Sequence, residues 1–189
     1  MGERWMDLLA KSETVLRGHF LLSSGLHSDT YFQMAIVFQT PRYGEACARG
    51  LAELVGGERF DAVIGPAVGG ILLSYELGRI LGIRTIFAER EQGAMTLRRG
   101  FRITPGERLL VCEDVITTGG SVKETIEVVR AAGGIAAAAC CIVQRGETDL
   151  GCRLERLVRV DVKQFPPAEC PLCREGVPFI KPGSRPKPA

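Results

Sequence analysis

The residues with the clearest chemical potential lie in one short stretch, residues 108–124. An apolar run at 109–112 leads into two adjacent carboxylates, Glu113 and Asp114. Val115 and Ile116 follow, then Thr117, Thr118, Gly119, Gly120 and Ser121. Glycines have no Cβ, so the backbone can turn sharply and bring its N–H groups close to an anion. The threonines and the serine add hydroxyl donors. Ser121 and Glu124 have the S-x-x-E spacing of a capping box, which predicts a helix starting near Ser121. The free N–H groups and positive dipole end of such a helix suit a phosphate. Glu113 and Asp114 would repel that phosphate at contact, so they are expected to face something else. The vicinal hydroxyls of a ribose, or water on a bound cation, fit that role. A sugar phosphate with a free 2′,3′-diol satisfies both halves of the loop.

Two other phosphate loops are excluded by spacing. No Gly-Lys-Ser/Thr occurs, which rules out a P-loop, and residues 65–70 (Gly-Pro-Ala-Val-Gly-Gly) lack the G-x-G-x-x-G register of a dinucleotide fold.

The elements that must hold this stretch follow from periodicity. Apolar residues at roughly helical spacing predict an amphipathic helix over 2–17. Residues 18–25 read as a strand entering a turn and 26–33 as its return. Thr40 and Pro41 form an N-cap and first-turn pair for a helix reaching about Val55. From residue 60 a strand–helix rhythm sets in. Strands are expected at 61–65, 84–88, 108–113 and 135–143, with helices through Leu81 and over 121–132. Residues 89–100 read as a charged segment with two glycines. Alternating βαβ units imply a parallel sheet with helices on both faces, and ligands in such sheets bind at the carboxyl ends of the strands. Four loops would converge there: 65–70, 89–100, 113–121 and the one beginning at Gln144 and Arg145.

Composition sets wider bounds. The 189 residues suit one domain with a sizeable core. A net charge of +2 offers no bulk attraction to nucleic acid or an anionic membrane, and no apolar run approaches membrane-spanning length. Met1 to Lys11 is too amphipathic for a signal peptide. Seven scattered cysteines favour reduced thiols in a cytoplasm over a disulfide framework.

The 108–124 stretch resembles the signature by which type I phosphoribosyltransferases bind phosphoribosyl pyrophosphate (PRPP). The wider chain, about residues 15–150, resembles the orotate phosphoribosyltransferases. Residues 20–32 are similar to the segment that forms a hood over the base, and residues 65–70 to the pyrophosphate loop. Arg145 stands where the family has an arginine that pairs with the orotate carboxylate. The resemblance implies an α/β fold with a mainly parallel sheet and a small N-terminal hood. It implies one domain over 1–181: hood 1–39, core 40–150 and a C-terminal extension 151–181, with 182–189 a flexible tail. It further implies PRPP binding by Arg90, Glu113, Asp114, Val115, Ile116, Thr117, Thr118, Gly119, Gly120 and Ser121. Catalytic roles would fall to Glu113, Asp114 and Arg90, and orotate contacts to Thr117 and Arg145. Mg²⁺ would be held mainly by substrate and water, with no protein side chain assigned as a ligand. A homodimer is implied, because the family's mobile loop completes a neighbour's site. A purine phosphoribosyltransferase and a PRPP-sensing transcriptional regulator remain as alternatives.

Two departures from the family pattern stand out. The mobile loop offers Arg90 at the first basic position but no counterpart of the family's second lysine and histidine; Arg98 and Arg99 are the nearby cations. Ser23 stands where many members have a lysine. Elsewhere, Cys170 and Cys173 form a lone C-x-x-C without a histidine nearby in sequence. They read as reduced surface thiols, with a zinc shared across a dimer as the alternative. His19 and His27 read as hydrogen-bonded hood residues rather than ligands. Tyr31 and Phe32 divide between stacking near the base and core packing, and Cys140 and Cys141 read as packing residues.

Overall fold

The computed structural model describes residues 2–22 and 24–182. The departure at Ser23 and nearly all of the expected tail lie outside the described residues. The chain opens with helix α1 (Gly2–Lys11). The helix expected over 2–17 stops six residues early. The Ser12 hydroxyl donates to the Leu9 carbonyl and meets the Thr14 hydroxyl at 2.8 Å, while Glu13 adopts a φ of 58°. Such local side-chain bonds compete with helix continuation, and strand β1 (Val15–Leu21) begins instead.

Strand β2 (His27–Phe32), helices α2 (Ala35–Gln39) and α3 (Pro41–Leu54), and strand β3 (Ala62–Pro66) follow. Pro41 occupies the first turn of α3, where its missing N–H costs nothing. Helix α4 (Gly69–Leu81) leads to β4 (Arg84–Glu91) and β5 (Ala94–Leu97). The segment 89–100 is therefore largely a hairpin, not a loop. Gln92 and Gly93 both have positive φ, as a two-residue turn matched to strand twist requires. Next come β6 (Arg108–Ile116), α5 (Gly120–Ala131), β7 (Ile135–Arg145) and β8 (Arg153–Val160). The chain ends in β9 (Gln164–Phe165), a 3-10 turn (Pro167–Glu169) and α6 (Pro171–Arg174).

Six strands form the main sheet in the order β5-β4-β3-β6-β7-β8, all parallel except β5. Successive strand residues face opposite sides of a sheet, and the two cores follow that rule. Val63, Leu110, Cys112, Ala138 and Cys140 join the core that includes Trp5, Leu51 and Leu77 from α1, α3 and α4. Ile64, Leu109, Val111, Ala139 and Cys141 join the one beneath Val122, Ile126 and Val129 of α5. Cys140 and Cys141 are thus packing residues on opposite faces. The smaller sheet, β1-β2-β9, takes its first two strands from the segment expected to form the hood. Its last strand comes from the C-terminal extension.

Strand β3 pairs with β4 on one side and with β6 on the other. The chain reverses its direction of travel across the sheet here. The crevice at such a reversal, beyond the strands' carboxyl ends, is where α/β sheets bind ligands. The loops after β3 and β6 flank it.

Candidate active site

The phosphate loop runs from the end of β6 into α5. Gly119 is the N-cap of α5, in the left-handed region at φ 76°. The capping box expected at Ser121 is not what starts the helix: Ser121 lies inside it, and Glu124 pairs with Arg90 instead. Gly119 is required twice over. A side chain there would be strained by the backbone angle, and a Cβ would lie 2.9 Å from both Leu150 Cδ2 and Thr148 Oγ1. Thr148 also donates its hydroxyl hydrogen to the Thr118 carbonyl at 3.0 Å. The loop after β7 therefore braces the phosphate loop from behind. Gly119→Ala is expected to cost about 1–3 kcal/mol in urea unfolding.

Helix α4 presents a second N-terminus to the same crevice. The approach from β3 is very close. A Cβ on Gly65 would sit 2.5 Å from the Gly70 carbonyl oxygen, and one on Gly69 2.7 Å from an Asp114 carboxylate oxygen. Ala67 donates its backbone N–H to the Ala88 carbonyl at 2.7 Å, and the Ala67–Val68 peptide is cis. Helix N-termini attract anions, and two of them open here on neighbouring loops. That number matches a substrate with a phosphate at one end and a pyrophosphate at the other.

Asp114 lies between them. Val115 donates its backbone N–H to Asp114 Oδ1 at 2.7 Å. Burial raises the Asp114 carboxyl above its ordinary value, against the opposing pull of the hydrogen bonds from Val115 and Glu113. Glu113 Oε1 accepts from the Asp114 N–H at 3.3 Å. The acidic pair is held as a unit at the carboxyl end of β6.

Arg145 ends β7 and is only 7% exposed. Its Nε and Nη2 are buried with no hydrogen-bond partner among the described residues. Burial pulls its guanidinium below the ordinary arginine value. A buried, under-satisfied cation is costly unless a ligand completes it. Tyr31 of the hood lies within reach of both site charges. Its phenol is raised by burial and by Asp114, with Arg145 opposing. Tyr31 also contacts the Phe20 ring at 5.7 Å between centroids, whereas Phe32 is a core residue.

The β4–β5 hairpin brings Arg90 to the first turns of α5. Arg90 Nη2 lies 2.5 Å from Glu124 Oε2, an ion pair off the line of a hydrogen bond, and Nη1 donates to the Gly93 carbonyl. Arg98 and Arg99 pair instead with Glu89 and Glu91 of the same hairpin.

Residues 34–151 match the phosphoribosyl transferase domain family. The chain is 54% identical over 185 residues to the orotate phosphoribosyltransferase of Caldanaerobacter subterraneus subsp. tengcongensis, covering 97% of each chain. It is also 54% identical over 180 residues to that of Pelotomaculum thermopropionicum, covering 94% of this chain and 95% of the relative. This chain belongs to the orotate phosphoribosyltransferase family. The crystal structure of orotate phosphoribosyltransferase from Aeropyrum pernix superposes with a TM-score of 0.69 at 32% identity, covering 82% of this chain and 92% of that one. The type I phosphoribosyltransferase fold expected from the resemblance is the fold found.

Against that family frame, the structure groups Glu113, Asp114 and the segment 115–121 at one crevice, with Arg90 beside α5. Sequence reasoning placed Gly69 in the pyrophosphate loop but not against Asp114, gave Glu124 to a capping box rather than to Arg90, and missed Thr148. Each acts through a contact with a residue distant in the chain or through a role, such as capping, that spacing assigned elsewhere.

Proposed function

We propose that the protein transfers ribose 5-phosphate from PRPP to N1 of orotate, giving orotidine 5′-monophosphate and pyrophosphate in de novo pyrimidine biosynthesis. The observation that carries this reading is Arg145: a buried guanidinium, two of whose nitrogens have no partner among the described residues, beside a hood tyrosine. A planar carboxylate is the ligand that such a fork best completes, by two parallel hydrogen bonds. Thr117 joins Arg145 in positioning orotate. Residues 117–121 hold the 5′-phosphate at the start of α5. Residues 65–70 receive the pyrophosphate at the start of α4, and Arg90 supplies positive charge as it departs. Glu113 and Asp114 bind the ribose hydroxyls.

The C1–oxygen bond to pyrophosphate breaks as the bond from N1, which attacks as its anion, forms. C1 gains cationic character in between, and the acidic pair stabilises it. Mg²⁺ fits the hard oxygen donors of Glu113 and Asp114, provided substrate and water supply most of its shell. When bound, it neutralises charge growing on the leaving group. A homodimer in the cytoplasm, reading neither nucleic acid nor membrane, completes the proposal. A net charge of +2 gives nucleic acid no bulk electrostatic attraction, and among the described residues no helix is long and apolar enough to cross a membrane.

A panel of bases tests the reading. With PRPP and Mg²⁺, orotate is expected to yield nucleotide and pyrophosphate, while uracil, adenine, hypoxanthine and xanthine yield none. Turnover of a purine would move Arg145 to another role. PRPP binding without turnover of any base would favour the regulator.

A further inference from the structure

The hood carries a second constellation, remote in role from the crevice. His19 of β1, His27 at the start of β2, Cys170 before α6 and Cys173 within it converge, with one ligand atom from each within 4.8 Å of the others. His19 and Cys170 are separated by 151 residues in the chain, so only the bare C-x-x-C hinted at this neighbourhood. Cys170 is fully buried, which corrects its reading as a surface thiol; Cys173 is exposed. Both histidines are 3% exposed.

We propose that these four side chains bind one zinc ion in each chain. The spacing fits a tetrahedron. Zinc–sulfur bonds of about 2.3 Å and zinc–nitrogen bonds of about 2.0–2.1 Å give sulfur–nitrogen edges of about 3.6 Å. Cys170 Sγ lies 3.5 Å from His19 Nε2, Cys173 Sγ 3.7 Å from the same atom, and Cys173 Sγ 3.3 Å from His27 Nδ1. The two ring nitrogens are closer, at 2.7 Å, against a tetrahedral edge of about 3.3 Å. A bound ion would part them by that difference. The orientation of His19 is fixed from behind: Nδ1–H donates to the Val177 carbonyl at 2.7 Å. This bond leaves Nε2 as a lone pair aimed at the cluster, the outer-shell arrangement typical of zinc-bound histidine.

Four protein ligands leave no open coordination position, so the ion is structural rather than catalytic. Its task follows from what the ligands join. Strand β9 is two residues long, and beyond α6 the chain returns to the hood edge through Ile180. Ile180 donates to the His19 carbonyl at 2.8 Å, and Leu21 donates to the Ile180 carbonyl at 2.9 Å. Phe179 covers both imidazoles, with centroids 5.8 and 5.1 Å away. So little pairing is a weak anchor alone. The metal ties β1, β2 and the C-terminal extension into one unit. The inference stands independently of the base-transfer reading.

The test uses full-length protein without a polyhistidine tag, purified under reductant from zinc-supplemented cells. Elemental analysis is expected to find about one zinc per chain, and less than roughly 0.1 in Cys173→Ser and His27→Gln. Cys173 is exposed, so its serine variant should keep the wild-type circular dichroism at low temperature. Cobalt reconstitution of the apoprotein should show the visible bands of a tetrahedral thiolate site, lost in Cys173→Ser. A strong chelator should lower Tm of the wild type by roughly 5 °C or more and leave Cys173→Ser unmoved. Metal-free wild type that takes up neither ion after reconstitution overturns the proposal. So does zinc retained in full by both variants, or a Cys170–Cys173 disulfide, lighter by two hydrogens, in metal-free protein.

Discussion

Arg145→Ala is expected to lower kcat/KM for orotate by about 10²–10³, or about 3–4 kcal/mol, while KM for PRPP moves by less than about threefold. The asymmetry follows from position. Arg145 ends β7, whereas the phosphate loop lies on the β6–α5 connection. Losing the guanidinium leaves the orotate carboxylate desolvated and unpaired, and that penalty falls on the base alone. A second variant separates chemistry from packing. Arg145→Met keeps most of the volume but removes a buried charge whose Nε and Nη2 have no partner among the described residues. It is expected to unfold at higher urea than the wild type, by about 1–2 kcal/mol, with orotate turnover still lost. Steady-state kinetics with each substrate varied, alongside urea denaturation, measures both. Unchanged orotate kinetics would remove Arg145 from the base site.

Asp114→Asn is expected to reduce kcat by about 10²–10³ without loss of fold. The amide keeps the shape and can still accept from the Val115 N–H, a bond of 2.7 Å in the native protein. It cannot offer a negative charge to the ribose as C1 becomes cationic. Stability should move the other way with pH. Burial raises the folded Asp114 carboxyl above its unfolded value. The folded state then holds the proton longer than the unfolded state. Its contribution to stability is full below the unfolded value and is lost as pH rises through the raised folded value. The wild type therefore carries a cost at neutral pH that the variant lacks. Asp114→Asn should gain stability relative to wild type between mildly acidic and neutral pH, read as a growing difference in urea midpoints. A difference that shrinks over that range would contradict the burial argument.

Much of the phosphate site was legible because it is contiguous. A strand, an acidic pair, two glycines and a helix start occupy residues 109–121, and neighbouring residues fix one another's geometry through local sterics and hydrogen bonding. The strand–helix alternation from residue 60 likewise announced a parallel sheet. Errors fell where local and distant forces compete. Ser12 and Thr14 ended α1 early through their own hydrogen bonds. The charged segment after β4 became a hairpin because a Gln92–Gly93 turn let β5 pair back on it.

By itself, then, the sequence determined the phosphate loop, its acidic pair and the class of fold, each encoded in short runs. Only the tertiary structure decided what surrounds them. It set Gly69 against Asp114, turned Glu124 to Arg90, left two nitrogens of Arg145 without a partner among the described residues, and gathered His19 and His27 to Cys170 and Cys173. These contacts join segments far apart in the chain. Their partners are chosen by packing of the two cores and the hood, which no local spacing records.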